Sequence, residues 1–313
     1  MIEVQNLIKK YSDNYAVDDV SFTIKEGEIV GFLGPNGAGK TTTMNIITGY
    51  LSPTSGTVLV DGINIMDNPI GVKKNIGFLP ETPPLYMDMT VYEYLTFVYE
   101  LKGCTLNKEK HLKEVLDTVK VFDVKDRLIK NLSKGYKQRV GIASAIVGDP
   151  KIVILDEPTV GLDPKQIIEV RNLIRILGKS HTVILSSHLL SEVQAVCSRV
   201  LIINEGRIIA DEKMSNLANV LGQSTQYKVK VSGPQKEVYN TLHSLPGVTS
   251  VKEVGFKEGD AFSFIVESKN GIDIRKPMFN ALAKKGYPLM GLENTEGELE
   301  EMFVKLIDSD RKG

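Results

Sequence analysis

The chain has 313 residues, of which 42 % are hydrophobic and 25 % charged. These are ordinary globular values on a length that suits a principal domain with a smaller appendage, and they exclude a disordered or fibrous class. The 38 Lys and Arg against 39 Asp and Glu leave a formal net charge of -1, so the basic excess of a nucleic-acid binder is missing and phosphate recognition has to be local.

The N-terminal run Met1-Ile2-Glu3-Val4-Gln5 has no basic segment leading into an apolar stretch and reads as free of a secretory signal. No segment approaches the ~18 uninterrupted apolar residues of a membrane-spanning helix. Alternation over Val20 to Ile24 and the apolar set Ile29 to Leu33 predict two early strands, split by the Glu26-Gly27 turn. A Gly-rich loop follows, then a helix from Lys40 to about Gly49, stopped by Ser52-Pro53-Thr54-Ser55-Gly56, then a hairpin turn at Asp61-Gly62. From about Pro83 to Gly148 the spacing is helical, as in Leu112, Val115, Leu116 and Val119, which predicts an inserted helical subdomain over about 83–150.

Short apolar runs return at Ile152 to Leu155 and Val183 to Leu185, as expected of strands covered on both faces of a mostly parallel sheet. Val200 to Asp211 reads as a hairpin turning at Glu205-Gly206, and the first domain is expected to span 1–220. Over 225–313 the predicted order is strand Tyr227 to Val231, helix Gln235 to Leu245, strands Val248 to Val254 and Ala261 to Glu267, helix Ile274 to Lys285, and a strand near Pro288 to Leu292. That order is the split βαβ, ferredoxin-like arrangement of an α+β accessory domain. A last helix is expected over Leu299 to Ile307, with apolar Leu299, Met302, Phe303, Leu306 and Ile307. Cys104 and Cys197 match no metal-ligand spacing and are expected as buried free thiols in a reducing cytosol.

Gly34-Pro35-Asn36-Gly37-Ala38-Gly39-Lys40-Thr41 fits G-x-x-x-x-G-K-[ST] between an apolar strand and a helix. Glycines let backbone N–H groups converge on phosphate, the helix N-terminus adds its positive dipole end, Lys40 reaches the β and γ phosphates, and Thr41 holds Mg²⁺. Ile152-Val153-Ile154-Leu155-Asp156-Glu157-Pro158 ends an apolar strand in two carboxylates. They emerge at the carboxyl edge of the sheet, where ligands bind in open α/β folds. Asp156 suits Mg²⁺, directly or through water, and Glu157 suits polarising an attacking water. A phosphate loop alone leaves kinases, GTPases, motors and transporters open.

With the loops that follow, residues 1 to about 220 resemble the ATP-binding subunits of ABC transporters, an α/β P-loop NTPase fold. Leu132-Ser133-Lys134-Gly135-Tyr136-Lys137-Gln138-Arg139 resembles that family's signature loop, Gly161-Leu162-Asp163-Pro164 its dimer-contact loop, and Ser187-His188 its switch histidine. The resemblance implies an ATPase in which two subunits, second copies or paralogues, pack head to tail. ATP on one phosphate loop is then capped by Ser133 and Gly135 of the other, with Asp163 at the contact. It assigns the nucleotide to Gly34, Pro35, Asn36, Gly37, Ala38, Gly39, Lys40, Thr41 and Thr42, and to Val17. Tyr11 falls where the family stacks an aromatic on adenine, with Tyr15 as the alternative. His188 senses the γ-phosphate; His111, His181 and His243 receive no role. Without a span of its own, the chain is expected to sit in the cytoplasm on the inner face of the membrane, held there by a separate transmembrane permease.

Two loops depart from the family pattern. Glu81 stands where Gln is usual and remains an oxygen ligand for Mg²⁺ or its water, with added negative charge. The signature reads Ser-Lys-Gly-Tyr rather than Ser-Gly-Gly-Gln, so Lys134 adds a cation. These variants, Thr82-Pro83-Pro84-Leu85-Tyr86 and Leu299-Glu300-Glu301-Met302-Phe303 resemble the exporter branch that includes gliding-motility and multidrug-type subunits. Leu85 to Tyr99, with Met87, Met89, Tyr92, Tyr94 and Phe97, reads either as a groove for a helix of the permease or as plain core. A soluble ABC ATPase acting on ribosomes or DNA is the competing class. It is disfavoured by the single phosphate loop, the lack of long heptads and the absent basic excess.

Overall fold

The computed structural model describes residues 1–220, 225–255, 259–269 and 272–296. The chain divides into two compact units between Met214 and Ser215. The first opens with β1 (Ile2–Tyr11) and β2 (Asn14–Ile24), an antiparallel pair running from Ile2 opposite Ile24 to Tyr11 opposite Asn14. After β3 (Ile29–Leu33) and the Gly-rich loop comes α1 (Lys40–Ile47). Strands β4 (Ser55–Val60) and β5 (Ile63–Asn64) complete a sheet of order β2-β1-β4-β5. Helix α2 (Pro69–Lys74) and strand β6 (Ile76–Leu79) lead to the helical stretch.

That stretch contains α3 (Val91–Leu101), α4 (Lys108–Thr118) and α5 (Lys134–Ile146). Helix α3 starts on a capping box: Thr90 Oγ1 accepts from the Glu93 N–H, and Glu93 Oε2 accepts from the Thr90 N–H, a device worth about 1 kcal/mol. Of the stripe with two readings, Tyr94, Leu95, Val98 and Tyr99 are buried core, while Tyr86 and Met87 stay exposed. At the far end of α5, the Lys102 ammonium donates to the carbonyls of Ser144, Ala145 and Val147 at 2.8 to 3.0 Å. It thereby satisfies last-turn acceptors that a helix leaves unpaired, at the negative end of its dipole.

The chain then alternates strand and helix: β7 (Ile152–Asp156), α6 (Pro164–Leu177), β8 (Thr182–Ser187), α7 (Leu190–Val196), β9 (Arg199–Asn204) and the hairpin strand β10 (Arg207–Lys213). The central sheet has the order β10-β9-β3-β8-β7-β6. All neighbours are parallel except the β9–β10 hairpin. Every residue of β7 and β8 is buried, which explains their unbroken apolar runs. Between the two sheets, Val4, Leu7, Phe22, Phe32, Met44, Ile47, Ile154 and Ile184 share one core; fully burying each such side chain contributes about 1.5–3 kcal/mol.

Helix α8 (Met214–Val220) begins at the division between the units. The second unit comprises β11 (Thr225–Ser232), α9 (Gln235–His243), β12 (Val248–Glu253), β13 (Ala261–Ser268), α10 (Arg275–Lys284) and β14 (Leu289–Glu296). Its sheet order β12-β13-β11-β14, antiparallel throughout, is that of the split βαβ arrangement. Tyr227, Val229 and Val231 of β11 are buried with Val238 and Leu242 of α9 and Met278 and Leu282 of α10. The helix expected over Leu299 to Ile307 lies outside the described residues. No helix among the described residues is long and apolar enough to cross a membrane.

Candidate active site

Parallel register brings four loops to one sheet edge. Leu33 pairs with Ser187, Ser186 with Asp156, and Leu155 with Leu79. The loops leaving the carboxyl ends of β3, β8, β7 and β6 therefore lie side by side, carrying Gly34 to Lys40, His188, Glu157 and Glu81 respectively. They enclose a cleft of about 390 Å³ lined by Ala16, Asn36, Gly37, Gly39, Lys40, Thr41, Thr42, Glu81, Glu157, Val160 and His188.

Backbone constraints fix the phosphate loop. Gly39 is the N-cap of α1 at φ 104, and a Cβ there would lie 2.3 Å from the Ala16 carbonyl oxygen. A Cβ on Gly34 would lie 2.3 Å from the Ile203 carbonyl oxygen. With glycine as its cap, α1 directs its first-turn N–H groups at the cleft with no side chain across them, the arrangement of an anion cradle.

The charged groups sit below. Lys40 Nζ donates to the Gly34 and Pro35 carbonyls at 2.8 and 3.2 Å and lies 3.4 Å from Glu157 Oε1. Glu157 Oε2 is 2.9 Å from His188 Nδ1; a carboxylate only accepts, so Nδ1 is the donor in this bond. Glu157 holds φ 48, a left-handed conformation that costs a non-glycine residue energy and clusters at functional sites. Its N–H is tied to the Ser186 carbonyl at 3.0 Å. Thr41 Oγ1 donates to Asp156 Oδ2 at 2.8 Å, while Asp156 Oδ1 is fully buried with no hydrogen-bond partner. An orphaned carboxylate oxygen is costly in a protein interior. A hydroxyl, this oxygen and the Glu81 carboxylate at the rim form the hard-oxygen set that suits Mg²⁺ shared with phosphate.

The remaining expected residues lie elsewhere. Ser133 caps α5, its Oγ accepting from the Tyr136 N–H at 3.4 Å, and Gly135 faces the Gln166 amide. Asp163 caps α6 through the Gln166 N–H at 2.9 Å. The Lys134 ammonium lies against Gly161, close enough to overlap a Cβ there. Ser133, Gly135 and Asp163 are thus not among the residues lining this chain's own cleft. Tyr11 is 50 % exposed at the β1–β2 turn, with the Lys9 ammonium 5.2 Å from its ring centroid. The Val17 side chain is fully buried in the core, and its neighbour Ala16 lines the cleft instead. Ala16 and Val160 carried no sequence signal, being small apolar residues without a motif.

A profile of the ABC transporter family matches residues 17–160. An uncharacterized ABC transporter ATP-binding protein of Bacillus subtilis, YcbN, is 34% identical over 310 residues, covering 98% of this chain and 97% of the relative. The chain belongs to the ABC transporter ATP-binding proteins. The bacitracin transport ATP-binding protein BcrA of Bacillus licheniformis is 34% identical over 316 residues, covering 98% of this chain and 97% of its own length. Among solved structures, a dimeric ATP-binding cassette in a post-hydrolysis state, bound to ADP and Pi, superposes with a TM-score of 0.63 at 29% identity, over 68% of this chain and 99% of that one. As an ATP-binding subunit of this family, the chain is an ATP hydrolase with the P-loop NTPase fold.

Of the two thiols, Cys197 is buried and its pKa is pushed up by that burial; Cys104, expected to be buried as well, is only half-buried. His111 and His181, to which no role attached, are both buried at backbone contacts. His111 Nε2 accepts the Gly148 N–H at 2.9 Å, and His181 Nδ1 faces the Pro150 carbonyl at 2.7 Å.

Proposed function

We propose that this subunit powers export through a separate membrane-spanning permease, working as a dimer whose two clefts are each completed by the other subunit. The observation that carries the reading is the split of the residues themselves. Asn36, Gly37, Gly39, Lys40, Thr41, Thr42, Glu81, Glu157 and His188 line one cleft, with Asp156 bonded to the Thr41 hydroxyl, while Ser133, Gly135 and Asp163 stand at helix N-termini and are not among its lining residues. Two helix N-termini that present a hydroxyl, a glycine N–H and a positive dipole end suit the phosphates held by another chain.

Within the cleft, Gly34 to Thr42 cradle the triphosphate and Lys40 neutralises its β and γ oxygens. Tyr11 stacks on the base, and Ala16 lines the cleft. Thr41, Asp156 and Glu81 would hold Mg²⁺, which neutralises charge on the β and γ phosphates when bound. Glu157 accepts the proton of the attacking water, and His188, oriented by its bond to Glu157, contacts the γ-phosphate. Loss of that phosphate removes the contact bridging the subunits, so they part.

Export is supported by the bacitracin transport relative, and by the variant loops that resemble the exporter branch. Residues 1–220 are assigned the ATP-binding role and 225–313 an accessory one. The subunit is assigned to the cytoplasmic face of the membrane through its permease. Co-purification tests this. A polytopic membrane protein is expected to accompany the tagged chain, and the Glu157→Gln variant is expected to elute as an ATP-dependent dimer. A variant that remains monomeric with saturating ATP, in a preparation free of membrane protein, would contradict the proposal.

A further inference from the structure

We infer that Glu192 is a positioning residue for ATP hydrolysis, stapling the loop that carries Glu157 to the loop that carries His188. The inference rests on the catalytic assignment of those two residues made above.

Glu192 lies in the first turn of α7 and is 3 % exposed. Its two carboxylate oxygens accept from two hydroxyls: Oε2 from Ser187 Oγ at 2.8 Å, and Oε1 from Thr159 Oγ1. Thr159 follows Glu157 by two residues, Ser187 immediately precedes His188, and both are buried. Ser187 Oγ also accepts the Leu189 N–H at 3.1 Å, so its own proton is the one given to Glu192. One hydroxyl thus bridges the residues on either side of His188. The Ser187 carbonyl accepts the Gly34 N–H at 3.3 Å, which ties the same loop to the start of the phosphate loop.

Physical chemistry makes this arrangement informative. A buried carboxylate is costly unless its lone pairs are satisfied, and apolar residues of similar volume usually stabilise as well or better. Hydroxyl-to-carboxylate bonds, however, are short and directional, and they fix the groups they join within narrow limits. Glu157 has to be held in its left-handed conformation, 2.9 Å from His188 Nδ1. A staple across the next residues of both loops supplies that restraint without touching nucleotide. Catalytic geometry is sensitive at this scale, because a 1 Å misplacement costs roughly 10²-fold in rate.

The test uses the full chain, with steady-state ATP hydrolysis, affinity for a non-hydrolysable ATP analogue and thermal unfolding measured side by side. Glu192→Leu is expected to lower kcat roughly 10- to 100-fold, while KM and analogue affinity move less than about threefold, the signature of an interaction needed only in the transition state. Glu192→Gln, which keeps one acceptor oxygen, is expected to recover part of the loss. Ser187→Ala and Thr159→Val, smaller changes that serve if Glu192→Leu does not fold, are each expected to lower kcat. Adding Glu192→Leu to that pair is expected to cost little more, because groups acting as a unit are not additive.

Full kcat in Glu192→Leu, or in both hydroxyl variants, would overturn the inference. So would kcat and analogue affinity falling together in step with Tm. If Glu157→Gln retains turnover, the catalytic assignment fails and takes the staple with it. If Glu157→Gln arrests turnover while Glu192→Leu runs at full kcat, only the staple fails.

Discussion

Gly39→Ala is the substitution whose cost the structure specifies most completely. The residue holds φ 104, outside the left-handed well near +57° that other residues reach, and occupying such a region costs about 1–3 kcal/mol. The added Cβ would meet the Ala16 carbonyl oxygen at 2.3 Å, and that distance has to open to at least 3.0 Å. The obstacle is backbone, so β2 or the phosphate loop has to move, and overpacking of this kind adds about 1–3 kcal/mol. Gly37→Ala is the internal control, since Gly37 has φ 81 but nothing within 4 Å of a new Cβ; it carries only the conformational term of about 1–2 kcal/mol. At about 2–4 °C per kcal/mol for a unit of this size, Gly39→Ala is expected to lower Tm by at least about 4 °C. Its ATP affinity is expected to fall by more than about tenfold, a loss of about 1.4 kcal/mol at the loop. Gly37→Ala is expected to show the smaller effect in both assays. Thermal unfolding and nucleotide titration of the two variants decide the matter: equal Tm values and equal affinities would refute the reasoning.

Other residues yield independent checks. Lys102→Met strips three carbonyls at the end of α5 of their donor and is expected to destabilise by about 2–3 kcal/mol, read as a lower midpoint in urea; an unchanged midpoint would contradict the cap. Burial holds the His111 pKa below its ordinary value, against the partial pull of the Asp149 and Glu114 carboxylates and with a small push from Lys102. The folded chain then binds fewer protons than the unfolded one just below pH 6.5, so stability falls as pH drops through that region. The loss should be absent in His111→Gln, and equal acid sensitivity of the two proteins would count against it. Cys104, half-buried, is expected to be alkylated before Cys197, which should react only on unfolding because burial suppresses its thiolate; the order of labelling is read by mass spectrometry.

Much of the site was legible because its chemistry is local. A loop that cradles phosphate needs glycines, a lysine and a hydroxyl within a few residues, and Gly34 to Thr41 keep them together. The acidic end of β7 was equally clear, since four buried apolar residues cannot be followed by two carboxylates without meeting water or a ligand. The split βαβ order of the second unit followed from period-two and helical patterns alone. What stayed hidden depends on contacts distant in sequence. Thr159 and Glu192 lie 33 residues apart, and nothing in a glutamate at the start of a short helix advertises two hydroxyls aimed at it. The buried roles of His111 and Lys102, and the choice of Ala16 rather than Val17 to face the cleft, arise the same way. The first depend on how helices stack, and the last depends on which face of β2 meets the core. Period-two spacing also missed β1, whose register shifts against β2 interrupt its alternation.

In the proposed mechanism, Glu157 and the residues it touches make this chain an ATP-hydrolysing engine. Steady-state hydrolysis of Mg²⁺-ATP by the wild type and by Glu157→Gln, with ATP binding measured in parallel, tests it most directly. Glu157→Gln is expected to bind ATP as the wild type does while turning over about 10²–10⁴-fold more slowly, the usual contribution of a general base. Undiminished hydrolysis by Glu157→Gln would remove Glu157 from the role of general base.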